Sequence, residues 1–160
     1  MAPAHVEELA QGDPRELALE NARRKALAIP GALVLGADTD VGLDGDVLGK
    51  PRDAAHAREL LARLSGRRHE VVGGIALAEH GELTLHEVVV TAVDFRRLDA
   101  ATLDWYVATG EWEGRAGGYA IQGKGAALVA GIEGDYLNVV GLPLARLLEL
   151  RPELLPTRRP

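Results

Sequence analysis

Residues 32–39 read ALVLGADT, a short apolar run that ends abruptly in polar residues. A continuous apolar run of this length predicts a strand buried on both faces of a sheet. Asp38 then stands at the end of the strand, where its carboxylate would point into the crevice in which open α/β sheets bind ligands. There it can hold a divalent cation or accept a proton from water. On these residues alone, a simple turn that begins at Asp38 and Thr39 is the plainer explanation.

On both sides of this strand, aspartates mark the starts of predicted helices. Asp13-Pro14 is typical of a helix start, and that helix should stop before Pro30. Apolar residues at helical spacing follow Asp53, and Asp99 precedes a further helical segment. The predicted helices cover residues 14–29, 53–64, 99–109 and 143–150.

Glycine-containing turns between β-rich segments predict three hairpins. They pair residues 41–43 with 47–48 across Asp44-Gly45, 69–78 with 83–95 across His80-Gly81, and 126–132 with 136–140 across Gly134-Asp135. Helices thus occur together with parallel-type and hairpin strands, so the sequence predicts an α/β or mixed α+β fold. One domain should cover residues 1–150, followed by a loose tail at residues 151–160.

Composition excludes several classes of function. The chain has 160 residues and a formal net charge of −6, so no broad basic surface for a nucleic acid polymer is expected. It contains no cysteine, which excludes disulfides, thiol catalysis and Cys-ligated metals and fits a cytoplasmic location. The apolar runs are too short to span a membrane, and the polar first residues do not resemble a signal peptide. A small anionic ligand in a local basic pocket is compatible with this composition.

Two further segments carry candidate binding residues. Lys50, one of only three lysines, lies in the rigid turn Gly49-Lys50-Pro51. A lysine near a carboxylate–metal site suits phosphate oxygens, although a solvated loop lysine is the simpler explanation. Residues 116–125 are rich in glycine, which lets a backbone approach a ligand closely, and Gln122 can pair with the edge of a nucleobase. A turn-rich connector explains that segment equally well.

Seven segments occur in the order typical of one protein family. They are Asn21-Ala22-x-x-Lys25-Ala26, Gly36-Ala37-Asp38-Thr39, Gly49-Lys50-Pro51, Leu64-Ser65-Gly66-x-x-His69-x-Val71, Thr91-x-Val93-x-Phe95, Ala116-Gly117-Gly118-Tyr119-x-Ile121-Gln122-Gly123 and Gly134-Asp135-Tyr136-x-Asn138-Val139-Val140-Gly141-Leu142-Pro143. Together they cover nearly the whole chain, which resembles the Maf family of nucleoside triphosphate pyrophosphatases.

The resemblance implies an inosine-triphosphatase-like fold, with an elongated mixed sheet, flanking helices and a central cleft between two lobes. It implies cleavage between the α- and β-phosphates of a nucleoside triphosphate, which yields a nucleoside monophosphate and pyrophosphate and depends on Mg²⁺ or Mn²⁺. Asp38-Thr39 and Ile121-Gln122 are similar to the branch of the family that favours dTTP and UTP. The family also implies a homodimer.

The same resemblance implies roles for individual residues. Asp38 is the expected proton acceptor for the attacking water, and Glu8 is expected to help Asp38 hold the metal. Thr39 and Gln122 are expected to help select the base. The expected phosphate-binding residues are Lys25 and Lys50.

The chain departs from the family at its start. Relatives carry a strand and a helix with Ser-x-Ser-x-Arg-Arg, which cradles the triphosphate, and Met1 falls after that unit. Arg23-Arg24 lies inside the next predicted helix and is no substitute. This leaves open a start codon assigned too far downstream, an N-terminally truncated fragment, or a catalytically impaired protein that binds nucleotides or regulates. Without that strand, an edge of the sheet should be exposed.

Two smaller departures concern charge. Asp40 stands where many relatives have an apolar residue. Residues 111–115 read EWEGR in place of the commoner Glu-Pro-x-Asp-Lys, and Arg115 keeps the positive charge of that segment.

Overall fold

The helices of the computed structural model, which describes residues 6–155, begin where the sequence places its aspartates. The α-helices of this part of the chain are α1 (Pro14–Ala28), α2 (Ala54–Leu64), α3 (Ala100–Ala108), α4 (Tyr136–Val140) and α5 (Leu144–Leu150). Asp13 accepts hydrogen bonds from two backbone N–H groups of the first turn of α1, and Asp53 and Asp99 cap α2 and α3 by accepting one such bond each. All of these helices except α4 confirm the predictions.

The strands of residues 6–155 form one sheet in the order β2-β1-β3-β4-β5. They are β1 (Leu33–Leu43), β2 (Asp46–Val47), β3 (Arg68–Glu79), β4 (Glu82–Phe95) and β5 (Val129–Glu133). The predicted α/β class with helices flanking a sheet is therefore confirmed. Every strand pair within the described residues is antiparallel, so the parallel pairing of the expected mixed sheet is not found there.

Two of the predicted hairpin turns are confirmed. Asp44 and His80 have φ angles of 55° and 51°, and each is followed by a glycine that also has a positive φ. Two successive left-handed residues match the twist of a two-residue hairpin. These turns join β1 to β2 and β3 to β4.

Strand β1 is longer than predicted and differs in its environment. It continues through the polar residues to Leu43, with Asp38 paired opposite Gly74 of β3. Asp38 therefore lies in the middle of a strand and not at its end. The prediction of burial on both faces was wrong for the first part of β1, because Leu33 and Leu35 are 46% and 41% exposed.

One edge of β1 is largely open. Between residues 33 and 40, β1 pairs with β3 on one side, and β2 joins its other side only at Gly42 and Leu43. The exposed sheet edge expected from the sequence is thus found along this stretch, within the part of the chain that the structure describes.

Helix α1 packs very closely on the sheet. A Cβ atom added to Gly36 would lie 2.0 Å from the carbonyl oxygen of Ala22, and one added to Gly74 would lie 2.1 Å from that of Ala18. These two glycines allow the helix backbone to reach the strands directly. The close approach brings polar residues of α1 next to the middle of β1.

The third predicted hairpin was wrong in part. Strand β5 is present, but residues 136–140 form α4 and not a returning strand. The Asp135 side chain accepts a hydrogen bond from the backbone N–H of Leu137 at 2.8 Å, which caps this helix. The β-branched residues Val139 and Val140 favour a strand locally, but the cap and the packing of α4 on the sheet prevail.

The main core lies where β1, β3 and β4 meet α2 and α3. Its largest fully buried side chains include Tyr106, Leu61, Leu64, Val71 and Leu128. Three short 3₁₀ helices occur in residues 6–155, at Ala116–Gly118, Lys124–Leu128 and Pro152–Leu154. No helix of this range is both long and apolar enough to cross a membrane.

The predicted loose tail lies partly outside the described residues. Residues 156–160 are not described. Before them, Arg151 Nη2 lies 2.8 Å from Glu79 Oε1 at the end of β3, and a 3₁₀ helix follows. Arg151 therefore contacts the end of β3.

Candidate active site

A pocket of about 240 Å³ opens beside the middle of β1. Five of the residues predicted from the sequence line it, namely Lys25, Asp38, Thr39, Lys50 and Gln122. The sixth predicted residue, Glu8, does not line the pocket itself but forms ion pairs with both Lys25 and Lys50. The structure thus brings together residues that are far apart in the sequence.

The pocket has two walls of different character. We call Glu8, Lys25, Asp38 and Lys50 the carboxylate wall, because ion pairs connect all four residues. We call residues 114–123 the loop wall; of these, Gly114, Arg115, Ala116, Tyr119, Ala120 and Gln122 line the pocket.

Both oxygens of Asp38 are held by side chains of α1. Oδ1 lies 2.5 Å from Lys25 Nζ, and Oδ2 accepts a hydrogen bond from Asn21 Nδ2 at 3.1 Å. Asn21 is only 2% exposed, and its side chain also binds the backbone of Leu9 in both directions. Each carboxylate oxygen has a second lone pair, so Asp38 can still accept a proton. These contacts fix the orientation of its carboxylate.

Glu8 connects the two lysines of the carboxylate wall. Its Oε1 lies 2.7 Å from Lys25 Nζ, and its Oε2 lies 2.9 Å from Lys50 Nζ. The hydrogen bond from Lys25, reinforced by Lys50, lowers the pKa of Glu8 against the opposing effect of burial. Burial works against the charged form of Lys25 as well, but its hydrogen bonds to Asp38 and Glu8 outweigh burial and raise the pKa of Lys25. Both residues therefore stay charged.

Asp40 is a third carboxylate close to this wall. Its Oδ2 is buried without a hydrogen-bond partner among the described residues. Burial, reinforced by the negative charges of Asp38 and Glu8, raises the pKa of Asp40 to about 6. The sequence marked Asp40 only as a departure from relatives. Its spacing of two residues from Asp38 on one strand places both side chains on the same face of the sheet.

Backbone hydrogen bonds anchor the loop wall beside Lys50. The N–H of Gly117 donates to the carbonyl oxygens of Leu48 at 2.8 Å and Gly49 at 3.2 Å. These bonds tie the segment that carries Arg115 to the turn that carries Lys50. The sequence placed both segments in loops and could not show that they meet.

Glu111 orders the end of the loop wall. Its Oε2 accepts hydrogen bonds from the backbone N–H groups of Lys124 at 2.7 Å and Gly125 at 3.3 Å. A carboxylate at the start of the 3₁₀ helix Lys124–Leu128 satisfies donors that would otherwise lack partners. Because Gln122 lies two residues before this helix, Glu111 holds the backbone close to the point from which Gln122 lines the pocket.

A buried polar pair lies behind the loop wall. His69 Nε2 and the hydroxyl of Tyr119 are 2.9 Å apart, and Phe95 packs edge-on against both rings. Burial outweighs the attraction of Asp94 and lowers the pKa of His69 to about 4, so the imidazole is neutral near pH 7. Burial likewise raises the pKa of Tyr119. The pair attaches the loop wall to β3.

The far end of the pocket is supplied by α4. Asn138 is fully buried, and its Nδ2 lies 3.1 Å from the carbonyl oxygens of Val71 and Val89 and from Thr91 Oγ1. These contacts hold residues 139–141 against the pocket. The sequence indicates Asn138 only as part of a motif, because its hydrogen-bond partners lie on strands distant in the chain.

Glu8 and Asp38 are the carboxylates of the site that could share a divalent cation. Glu8 and Asp38 both contact Lys25 Nζ, so their carboxylates lie close together. Within residues 6–155, no group of three or more His, Cys, Asp or Glu side chains could hold a metal by itself. Mg²⁺ commonly takes one or two protein carboxylates and obtains its other ligands from substrate phosphates and water.

The fold and this pocket are typical of a protein that binds small anionic ligands. Cationic side chains line the pocket, and Lys25 and Asn21 hold the Asp38 carboxylate in place. Residues 1–153 match the family described as Maf-like protein, and the chain belongs to that family. It is 52% identical over 140 residues to the dTTP/UTP pyrophosphatase of Anaeromyxobacter dehalogenans, with 86% of the chain and 72% of that protein covered.

Other relatives give the same picture. The dTTP/UTP pyrophosphatase of Symbiobacterium thermophilum is 53% identical over 135 residues, which cover 84% of the chain and 69% of that protein. The dTTP/UTP pyrophosphatase of Pyrococcus furiosus is 45% identical over 154 residues, which cover 92% and 80%. The family expected from the sequence motifs is thus confirmed.

Proposed function

We propose that this protein hydrolyses dTTP and UTP to the nucleoside monophosphate and pyrophosphate. The relatives at about half identity carry that activity in their names. The structural observation that carries the proposal is Asp38, which lines the pocket while Lys25 and Asn21 hold its two oxygens. A fixed carboxylate in a pocket that also offers cations suits water attack on a phosphate ester or anhydride.

In this reaction, Asp38 accepts a proton from the attacking water. The water oxygen bonds to the α-phosphorus, and the bond between the α-phosphorus and the oxygen bridging to the β-phosphate breaks. Pyrophosphate leaves with that bridging oxygen. Asn21 and Lys25 keep the carboxylate oriented throughout, as their contacts at 3.1 and 2.5 Å indicate.

Lys25 and Lys50 are the proposed phosphate ligands of the carboxylate wall. Both are paired with Glu8 in the structure, so each reaches a phosphate oxygen only by sharing or releasing that carboxylate. Glu8 and Asp38 would then hold Mg²⁺ or Mn²⁺, which screens the negative charge of the phosphate oxygens.

Thr39 and Gln122 are the proposed base-selecting residues. They line the same pocket, from β1 and from the loop wall respectively. A glutamine amide offers a donor and an acceptor together, which matches the edge of a pyrimidine. A cytoplasmic location is proposed because a chain without cysteine suits a reducing compartment. A homodimer is proposed on the family resemblance alone. Light scattering on the purified protein should then give twice the 17.0 kDa of one chain.

The experiment that tests the function is pyrophosphate release from dTTP, UTP, CTP, GTP and ATP, with Mg²⁺ or Mn²⁺. We expect release from dTTP and UTP in preference to the other three. Asp38→Asn should reduce turnover by about 10²–10⁴-fold, the usual contribution of a general base. Asp46→Asn is the matched control, because Asp46 is an exposed residue paired with Arg63 at the surface.

Two results would contradict the proposal. Full turnover by Asp38→Asn, with melting unchanged, would remove Asp38 from the reaction. Saturable binding of dTTP in a calorimeter without pyrophosphate release by the wild type would instead support the catalytically impaired nucleotide-binding protein that the sequence left open.

A further inference from the structure

Three cations line the pocket, and one of them differs from the other two. Lys25 and Lys50 are each within 2.9 Å of a carboxylate oxygen. Arg115 lines the same pocket from the loop wall. Among residues 6–155 its guanidinium makes no ion pair and no hydrogen bond, although the structure pairs many other exposed arginines with carboxylates. Examples are the pairs Arg58–Asp104, Arg63–Asp46, Arg67–Asp44 and Arg68–Asp94.

The backbone around Arg115 is nevertheless well anchored. Its N–H donates to the carbonyl oxygen of Trp112 at 3.2 Å, and its own carbonyl accepts from the N–H of Gly118 at 3.0 Å. The hydrogen bonds of Gly117 to Leu48 and Gly49 tie the same turn to the Lys50 segment. These bonds anchor the backbone from which Arg115 lines the pocket, and within residues 6–155 no acidic side chain pairs with its guanidinium.

We propose that Arg115 binds the phosphate oxygens of the nucleoside triphosphate from the loop wall of the pocket that Lys25 and Asp38 also line. This rests on the proposed function and adds a substrate-binding residue to it. A guanidinium offers two parallel N–H donors to a phosphate, a geometry that an ammonium group does not provide. Because Arg115 has no carboxylate partner among residues 6–155, a polyphosphate can bind it without displacing one. Lys25 and Lys50 must share or release Glu8 to bind the same ligand.

Inorganic tripolyphosphate tests this proposal without any base or turnover. Its affinity is measured by calorimetry in metal-free buffer for the wild type, Arg115→Gln, Arg115→Lys and the control Arg97→Gln. Arg97 is exposed and lies outside the pocket. We expect Arg115→Gln to weaken binding by about tenfold to a hundredfold, the range for hydrogen bonds to charged groups. Arg115→Lys should lie between that variant and the wild type, and Arg97→Gln should match the wild type.

Thymidine, which has no phosphate, separates phosphate binding from contact with the base. Its affinity should be unchanged by Arg115→Gln. The proposal is overturned if tripolyphosphate binds Arg115→Gln within twofold of the wild type, if thymidine affinity falls instead, or if the wild type does not bind tripolyphosphate. Melting temperatures of all variants check that each is folded.

The outcome is separable from that of the proposed function. If the wild type releases pyrophosphate but Arg115→Gln binds tripolyphosphate normally, the function stands and the role of Arg115 fails. If Arg115→Gln loses tripolyphosphate affinity while no nucleotide is hydrolysed by the wild type, Arg115 is a polyphosphate ligand of a protein that is not this pyrophosphatase. If both hold, the KM for dTTP should rise in Arg115→Gln.

Discussion

The two walls of the pocket keep their order by different means. In the carboxylate wall, Glu8, Lys25, Asp38 and Lys50 satisfy each other's charges at 2.5–2.9 Å before any substrate arrives. In the loop wall, backbone hydrogen bonds and the carboxylate of Glu111 provide the order, and Arg115 forms no ion pair within the described residues 6–155. The first arrangement suits a group that must be oriented for chemistry, and the second suits recognition of an incoming anion.

The walls also differ in the buried titratable group that lies beneath each. Asp40 lies beside the carboxylate wall with its pKa raised to about 6 by burial and neighbouring negative charge. His69 lies behind the loop wall with its pKa lowered to about 4 by burial. Both groups are held closer to neutrality than in the unfolded chain, so they make stability depend on pH in opposite directions.

The largest difference between the walls should appear on removal of Lys25. Lys25→Met leaves both Asp38 and Glu8 without their shared cation, so we expect turnover of dTTP to fall by about 10²–10³-fold. Lys50→Met removes a proposed phosphate ligand and a contact to Glu8, but it leaves the contact of Lys25 with Asp38 in place, so it should reduce turnover less. Steady-state kinetics of the two variants checks this. An equal loss in both would show that Asp38 does not depend on Lys25.

The next largest effect is a pH dependence of stability caused by His69, which supports the loop wall. The unfolded chain binds the His69 proton near pH 6.5, whereas the folded protein binds it only near pH 4. The free energy of unfolding is therefore not reduced by His69 above pH 6.5, and it decreases as the pH falls towards 4. At about 1.4 kcal/mol per pKa unit, the full loss is about 3 kcal/mol. His69→Gln keeps a hydrogen-bond partner for Tyr119 but does not titrate, so this variant should not show that loss of stability at low pH.

Urea unfolding from pH 4 to 7 measures this difference. Asp40 has the opposite sign: its folded pKa lies above the unfolded value of 3.8, so its contribution falls as the pH rises through about 6. The difference between His69→Gln and the wild type is therefore the quantity to follow, since Asp40 is common to both. A difference that does not vary with pH would show that His69 is not held neutral by burial.

The smallest effect should come from Glu111, which orders only one end of the loop wall. Glu111→Ala removes the acceptor of two backbone N–H groups at the start of a 3₁₀ helix, a change of about 1 kcal/mol. We expect the KM for dTTP to rise about fivefold with little change in kcat. Glu113→Ala, an exposed residue of the same turn, is the matched control. A fall in kcat with KM unchanged would place Glu111 in the chemistry instead.

Local features of the sequence predicted much of the fold. Aspartate caps gave the starts of α1, α2 and α3, and Asp44-Gly45 and His80-Gly81 gave two hairpin turns, because these patterns depend on neighbouring residues. Local preference failed at residues 136–140, where valines favour a strand but α4 forms.

The site was predicted less completely than the fold. The motif resemblance assembled the residues of the carboxylate wall and Gln122, and the structure brings them to one pocket. The supporting contacts were missed, since Asn21 meets Asp38 and Glu111 meets Lys124 only through long-range packing. The contact between Asn21 and Asp38 depends on the close approach of α1 to the sheet at Gly36 and Gly74. The local sequence does not predict how close a helix lies to a strand.

Hydrolysis of dTTP in ¹⁸O-labelled water, followed by mass spectrometry of both products, tests most directly whether water attacks the α-phosphorus, the attack that Asp38 is proposed to promote. Attack at that atom places the water oxygen in the monophosphate. We expect one ¹⁸O atom in thymidine monophosphate and none in pyrophosphate. Label in pyrophosphate, or release of labelled inorganic phosphate, would show attack at another phosphorus and contradict the assigned role of the carboxylate wall.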